Sequence, residues 1–170
     1  MYNPATHRRR SIRLPGHDYR HPGAYFVTLV TRNREMLFGA VENSRMILNP
    51  WGGIVDELWR DTAAMRPGVC LAEHVVMPNH LHGIIHLHDA PGGLNASSIA
   101  TILKGFKAAV SGEIKRQTGI SDLGSVWQRN YHDRVIRSED EFRQIAAYIR
   151  DNPTRWQHDR LNTPSLIIPT

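Results

Sequence analysis

The stretch VVMPNHLHGIIHLH, residues 75–88, decides how the rest of the chain is read. From His80 onward it alternates with the period of two that a β-strand imposes on its side chains. One face reads His80, His82, Ile84, His86, His88; the other reads Leu81, Gly83, Ile85, Leu87. The second face suits a core. The first carries four imidazoles, and the strand rise sets His80 and His82 roughly 7 Å apart on one side, near enough to converge on a metal ion. His86 lies roughly 13 Å beyond His82 by the same rise and is not expected to join them. An H-x-H pair is either a solvated strand face or half of a metal site, and the rest of the chain must decide.

Pro78-Asn79 interrupts the apolar run before His80, and Pro78 has no backbone donor to give a sheet. Residues 69–77 and 80–88 therefore read as an antiparallel pair joined by a turn or bulge, a place where strands re-aim side chains. AYFVTLVTRNR, residues 24–34, is rich in β-formers and reads as the first strand. Residues 48–65 read as a helix with Asn49 as cap and Pro50 at its first position. A long helix over 97–117 has Ile99, Ile102, Leu103, Phe106, Val110 and Ile114 as its apolar stripe. Gly105 inside it costs about 1 kcal/mol, which points to close approach of another backbone. Residues 126–136 read as a further strand. Ser138 and Glu141 form a capping box for a last helix that runs to about residue 150 and stops before Pro153. The order β-α-β-β-α-β, closed by a helix, predicts an α+β fold: a ferredoxin-like, RRM-like antiparallel sheet with helices packed on it.

The chain has 170 residues and a net charge of +5. Seven arginines stand against Asp18 alone in residues 1–34. We expect a basic arm over 1–23, one domain over 24–155 and a tail over 156–170. A basic arm on a near-neutral body points to a polyanion, most often nucleic acid; a solubilising tail is the other reading. The single cysteine, Cys70, has no partner in the chain, and no apolar run is long enough to span a membrane or to serve as a secretory signal, so a cytoplasmic protein is expected.

In the last helix Phe142, Ile145, Ala146 and Ile149 share one face, and Tyr148 and Asn152 stand one turn apart on its flank. Separately, Tyr148 reads as a half-buried packing residue and Asn152 as a helix C-cap. Combined with the two histidines they suggest a metal site with a nucleophile beside it.

M-P-N-H-L-H at 77–82, L-K-G-F-K-A-A-V at 103–110, W-Q-R-N-Y-H-D-R-V-I-R at 127–137 and Y-I-R-D-N-P at 148–153 together resemble the single-tyrosine HUH transposases, and among them the REP-associated tyrosine transposases. The resemblance covers nearly the whole chain. It implies the HUH nuclease fold and a transposase that cleaves and rejoins hairpin-flanked single-stranded DNA through a 5′-phosphotyrosine intermediate. Carried onto this sequence, Tyr148 is the nucleophile, His80 and His82 are the two HUH histidines, and Asn152 is the third metal ligand. Relatives often have Gln at that last place; Asn resembles the REP-associated branch. The implied cofactor is a divalent metal, Mg²⁺ or Mn²⁺, with imidazoles favouring Mn²⁺ and zinc ranked lower. The implied partner is single-stranded DNA with hairpins, bound by a monomer or a homodimer, with no membrane. Candidate DNA contacts are Arg8, Arg9, Arg10 and Arg13 in the arm, Lys104 and Lys107 on the long helix, Arg129, and Trp127, which either stacks on a base or belongs to the core. His86 and His88 are expected to face solvent, and Tyr131 is the rival nucleophile. Rival functions are a catalytically idle or domesticated hairpin-binding protein on the same fold, a replication-initiator-like nickase, and a zinc hydrolase.

Overall fold

A computed structural model describes residues 22–89, 97–120 and 124–162. In chain order the elements are β1 (Gly23–Val30), β2 (Gly39–Glu42), β3 (Arg45–Leu48), α1 (Pro50–Ala64), β4 (Val69–Met77), β5 (His80–Leu87), α2 (Ile99–Thr118), β6 (His132–Ile136) and α3 (Glu139–Arg155). Short 3-10 turns occupy Arg32–Arg34 and Trp156–His158.

The main sheet has the order β4-β5-β1-β6, and every pairing in it is antiparallel. With β2 and β3 set aside, this is the expected ferredoxin-like arrangement, in which the two strands of the central pair, β1 and β5, open the first and second β-α-β units. Alternation sends Tyr25, Val27, Leu29, Leu81, Ile85 and Leu87 into a large core shared with α1 and α2. The opposite face places Ile84 and Ile136 in a smaller core with Ala146 and Ile149 of α3. Each helix begins where the sequence has a cap: the side chains of Asn49, Ser98 and Ser138 accept from Gly52, Thr101 and Glu141 amides. Among the described residues no helix is long and apolar enough to cross a membrane.

Several expectations change. The first strand ends at Val30, because Asn33 and Arg34 adopt positive φ of 53° and 56° in a tight turn. A β2–β3 hairpin precedes α1, reversing at Asn43 and Ser44 with φ of 49° and 61°. Two consecutive positive φ values are the mark of a type I′ turn, but the usual Asn-Gly signal is missing here. The strand expected over 126–136 begins only at His132; Val126 and Trp127 instead enter the large core. Gly105 faces the Arg66 guanidinium, not a backbone: a Cβ there would lie 2.9 Å from Nη2. Finally, α3 runs through Pro153 to Arg155. Proline's fixed φ is compatible with a helix, but inside α3 it forgoes the hydrogen bond to the Ile149 carbonyl and its ring crowds that carbonyl. Trp156, buried just beyond, anchors the extra turn.

β4 is bulged where it meets α3. Leu71 pairs with Ile85 and His74 with Gly83, so Ala72 and Glu73 both oppose Ile84. The bulge leaves Glu73 on the α3 side, where it pairs with Arg150 at 2.8 Å, and returns His74 to the α1 side, where it meets Asp56 at 2.8 Å. Gly83 lets Trp59 lie directly beneath β5; a Cβ at Gly83 would sit 2.4 Å from Trp59 Cζ2. Gly83→Ala must therefore displace a fully buried indole under the histidine strand. We expect it to destabilise the fold by roughly 1–3 kcal/mol, measured by urea denaturation. An unchanged midpoint would contradict this packing.

Candidate active site

His80 and His82 stand on the α3 face of β5, as the alternation requires. Their ring centroids are 4.5 Å apart, closer than ideal strand geometry suggests, because the rings lean toward each other. Each ring is held at Nδ1. His80 Nδ1 lies 2.9 Å from Asn79 Oδ1, and His82 Nδ1 lies 2.8 Å from Thr28 Oγ1. Thr28 faces the site because it pairs with His82 in the β1–β5 register.

α3 crosses this face and supplies the other groups. Tyr148 Oη is 3.3 Å from His82 Nε2 of the same chain, and its ring packs edge-on against Phe26. Tyr148 is 38 % exposed, whereas Asn152, one turn later, is 1 % exposed. The C-cap reading of Asn152 does not hold, because the helix continues past it. Its Oδ1 and His80 Nε2 are both buried with no hydrogen-bond partner among the described residues.

Asp159 is the residue that sequence reasoning missed. A ring nitrogen of His80, one of His82 and an Asp159 carboxylate oxygen all lie within 4.8 Å of one another, a group able to hold a metal ion. Asn152 Nδ2 donates to Asp159 Oδ2 at 3.5 Å. No motif or period marks Asp159. It arrives because Trp156 is buried with its ring 5.9 Å from that of His80, turning the chain back over the site. Residues 156–162, expected as part of a tail, thus form one wall of the site, and 163–170 lie outside the described residues.

Burial controls the protonation of these groups. It pushes His80 down to about 4, against the opposing pull of the Asp159 carboxylate and the Asn152 amide. His82 is lowered well below its ordinary value by burial first, then by His80, Arg160 and His132. Both rings are therefore neutral at pH 7, the state in which an imidazole nitrogen can ligate a cation. Tyr148 is raised above its ordinary value, chiefly by burial and secondarily by the charge of Asp159.

A cleft of about 1140 Å³ opens on Tyr148 and His82. Its floor includes Phe26 and Ile145; Arg34, His132, Arg134, Arg155, His158 and Arg160 surround it. Most of this basic lining comes from residues that were not expected as DNA contacts. Of those that were, Arg8, Arg9, Arg10 and Arg13 lie outside the described residues. Trp127 is only 2 % exposed and packs against Phe38 and Phe106, so its ring is a core element and is not presented to a base. Lys107 donates to the carbonyls of Gln128 and Arg129, which commits its ammonium to the protein. Lys104 is exposed, but α2 lies across the sheet from the histidines. Arg129 is exposed in the loop before β6. Tyr131 packs against the large core, away from the histidine face. His86 is half-buried against Phe142 and stacks on exposed His88.

A relative from Haemophilus influenzae, described only as an uncharacterized protein, is 38 % identical over 176 residues, covering 94 % of this chain and 96 % of its own. No family model matches the chain. Among solved structures, a REP-associated tyrosine transposase bound to a REP hairpin superposes with a TM-score of 0.55 at 18 % identity, over 85 % of this chain and 74 % of that one. A putative transposase from Deinococcus radiodurans superposes with a TM-score of 0.51 at 19 % identity, over 82 % and 95 %.

The depressed imidazoles make stability depend on pH. A histidine with a folded-state value below its unfolded value of about 6.5 takes up its proton first in the unfolded chain. Stability is whole above that value and is lost as pH falls through it toward the folded-state value, about 4 for His80. In metal-free protein we expect His80 to account for a loss on the order of 2 kcal/mol by pH 5. Urea denaturation of wild type and His80→Gln between pH 7 and 5 isolates it. Parallel losses in the two proteins would contradict the assigned burial.

Proposed function

Because the chain belongs to one family with the Haemophilus influenzae protein and has the fold of the tyrosine transposases, we propose that it is a metal-dependent single-stranded DNA transesterase. It cleaves and rejoins hairpin-flanked DNA through a 5′-phosphotyrosine link. The observation that carries this reading is the meeting of a partly exposed tyrosine with buried, unpaired metal-donor atoms in a cationic cleft. Tyr148 Oη stands 3.3 Å from His82 Nε2, and the nearby His80 Nε2 and Asn152 Oδ1 have no hydrogen-bond partner among the described residues.

The donor set fits a divalent cation. His80, His82 and Asn152 would hold it, and the Asp159 carboxylate, within 4.8 Å of both imidazoles, would add negative charge or a further oxygen ligand. Two nitrogens with amide and carboxylate oxygens suit Mn²⁺ and admit Mg²⁺. When bound, such an ion polarises a phosphate and stabilises the charge that develops on it.

The chain's own residues account for the remaining chemistry. Phe26 and the α3 backbone orient the Tyr148 ring, and the partly exposed side chain lines the cleft, from which a strand would approach it. Tyr148 Oη attacks a backbone phosphorus and loses its proton to solvent as the P–O3′ bond breaks. The departing O3′ takes up a proton and leaves as a 3′-hydroxyl. The link retains the energy of a phosphodiester, so a second 3′-hydroxyl can attack the same phosphorus and release the tyrosine. Arginines around the cleft attract the strand through its phosphates, giving salt-dependent affinity without sequence choice.

The test is a denaturing gel with labelled oligonucleotides carrying REP-like hairpins, incubated with wild type or Tyr148→Phe in Mn²⁺, Mg²⁺ or EDTA. We expect an SDS-stable adduct that needs the metal and disappears in Tyr148→Phe. Hairpin binding without an adduct in either protein would support the idle binding module instead. An adduct that survives the substitution would point to Tyr131.

A further inference from the structure

Asn79 has no part in the chemistry above, yet it is fully buried beside His80. Its Nδ2 donates to the carbonyl of Leu161 at 2.7 Å and to that of Arg34 at 3.1 Å. Backbone carbonyls only accept, so these two contacts fix which way the amide faces. The remaining atom, Oδ1, must then face His80 Nδ1, 2.9 Å away. An amide oxygen also only accepts, so the neutral His80 ring must carry its proton on Nδ1. That leaves the lone pair on Nε2, the buried atom without a partner. The same amide reaches Asp159 by a second route: Leu161, whose carbonyl it holds, donates its own N–H to Asp159 Oδ1 at 2.7 Å. His80 and Asp159 are thus the two ends of one hydrogen-bond chain with Asn79 at its middle.

We propose that Asn79 is a positioning residue for the metal site, setting the tautomer of His80 with its oxygen and tying the Asp159 turn to the β4–β5 junction with its nitrogen. The ligand role rests on the metal reading above; the tautomer does not. Outer groups that orient a metal-bound histidine change affinity by about 10- to 100-fold when removed.

The two halves separate by substitution. Asn79→Ala removes both. Asn79→Asp keeps an acceptor for Nδ1–H but offers nothing to the two carbonyls. The measurements are the tautomer of His80, from long-range ¹H–¹⁵N correlations in metal-free protein at pH 7.5, and Mn²⁺ affinity by electron paramagnetic resonance. Wild type is expected to show the Nδ1–H form. Asn79→Ala should shift His80 toward the Nε2–H form and weaken Mn²⁺ at least tenfold. Asn79→Asp should retain the Nδ1–H form and bind Mn²⁺ with intermediate affinity. A folded Asn79→Ala protein with wild-type tautomer and wild-type Mn²⁺ affinity overturns the proposal. Should that variant fail to fold, loss of the Nδ1–H form in Asn79→Asp overturns it equally. A tautomer that follows Asn79 in a protein that binds no Mn²⁺ supports the clamp and counts against the metal reading.

Discussion

β5 is buried on both faces, and that constraint governs the rest of the molecule. Its Leu81, Ile85 and Leu87 face is covered by α1 and α2, while the His80 and His82 face is covered by α3. A strand in that position normally carries apolar side chains on both sides. Here two imidazoles are withdrawn from water, and that burial keeps them neutral; His80 Nε2 has no hydrogen-bond partner among the described residues, while His82 Nε2 faces Tyr148 Oη. Each ring also needs a partner for Nδ1, and Thr28 and Asn79 supply them. The neutral state of the two imidazoles therefore comes from their burial in the sheet.

The placement of α3 follows from that strand. Its apolar stripe docks on Ile84 and Ile136, and the bulge in β4 supplies Glu73 to hold Arg150. This register brings Tyr148 to His82 at 3.3 Å while its side chain lines the cleft. The extension through Pro153 matters as much. Had the helix stopped before the proline, Trp156 and Asp159 would not return over His80. Asn79, at the junction of β4 and β5, joins that returning turn to the histidine strand.

Much of this was legible beforehand. Alternation identified the faces of β5, caps located the starts of α1 and α3, and the motif pair MPNHLH and YIRDNP brought His80, His82, Tyr148 and Asn152 into one proposal. These signals are local in sequence, and local chemistry survives folding. The failures also share a cause. The β2–β3 hairpin lacks a glycine at its turn, so its positive φ values had no marker. Trp127 and Lys107 looked available for DNA because aromatic and basic residues advertise binding; which of them face solvent is decided by contacts with Phe38, Phe106 and two carbonyls distant in sequence. Asp159 carried no pattern at all.

By itself the sequence determined the periodic faces, the starts of α1 and α3 and the ferredoxin-like order, and it singled out the histidine, tyrosine and asparagine set as candidates. Each of these follows from side-chain spacing along one segment. Only the tertiary structure decided that Asp159 and the cleft arginines lie beside the candidate site, that Trp127 and Lys107 make their contacts within the body of the protein, and that Asn79 Oδ1 faces His80 Nδ1. Those outcomes depend on groups far apart in the chain meeting in a space from which water is excluded, where each polar atom must find a partner or be left with a free lone pair.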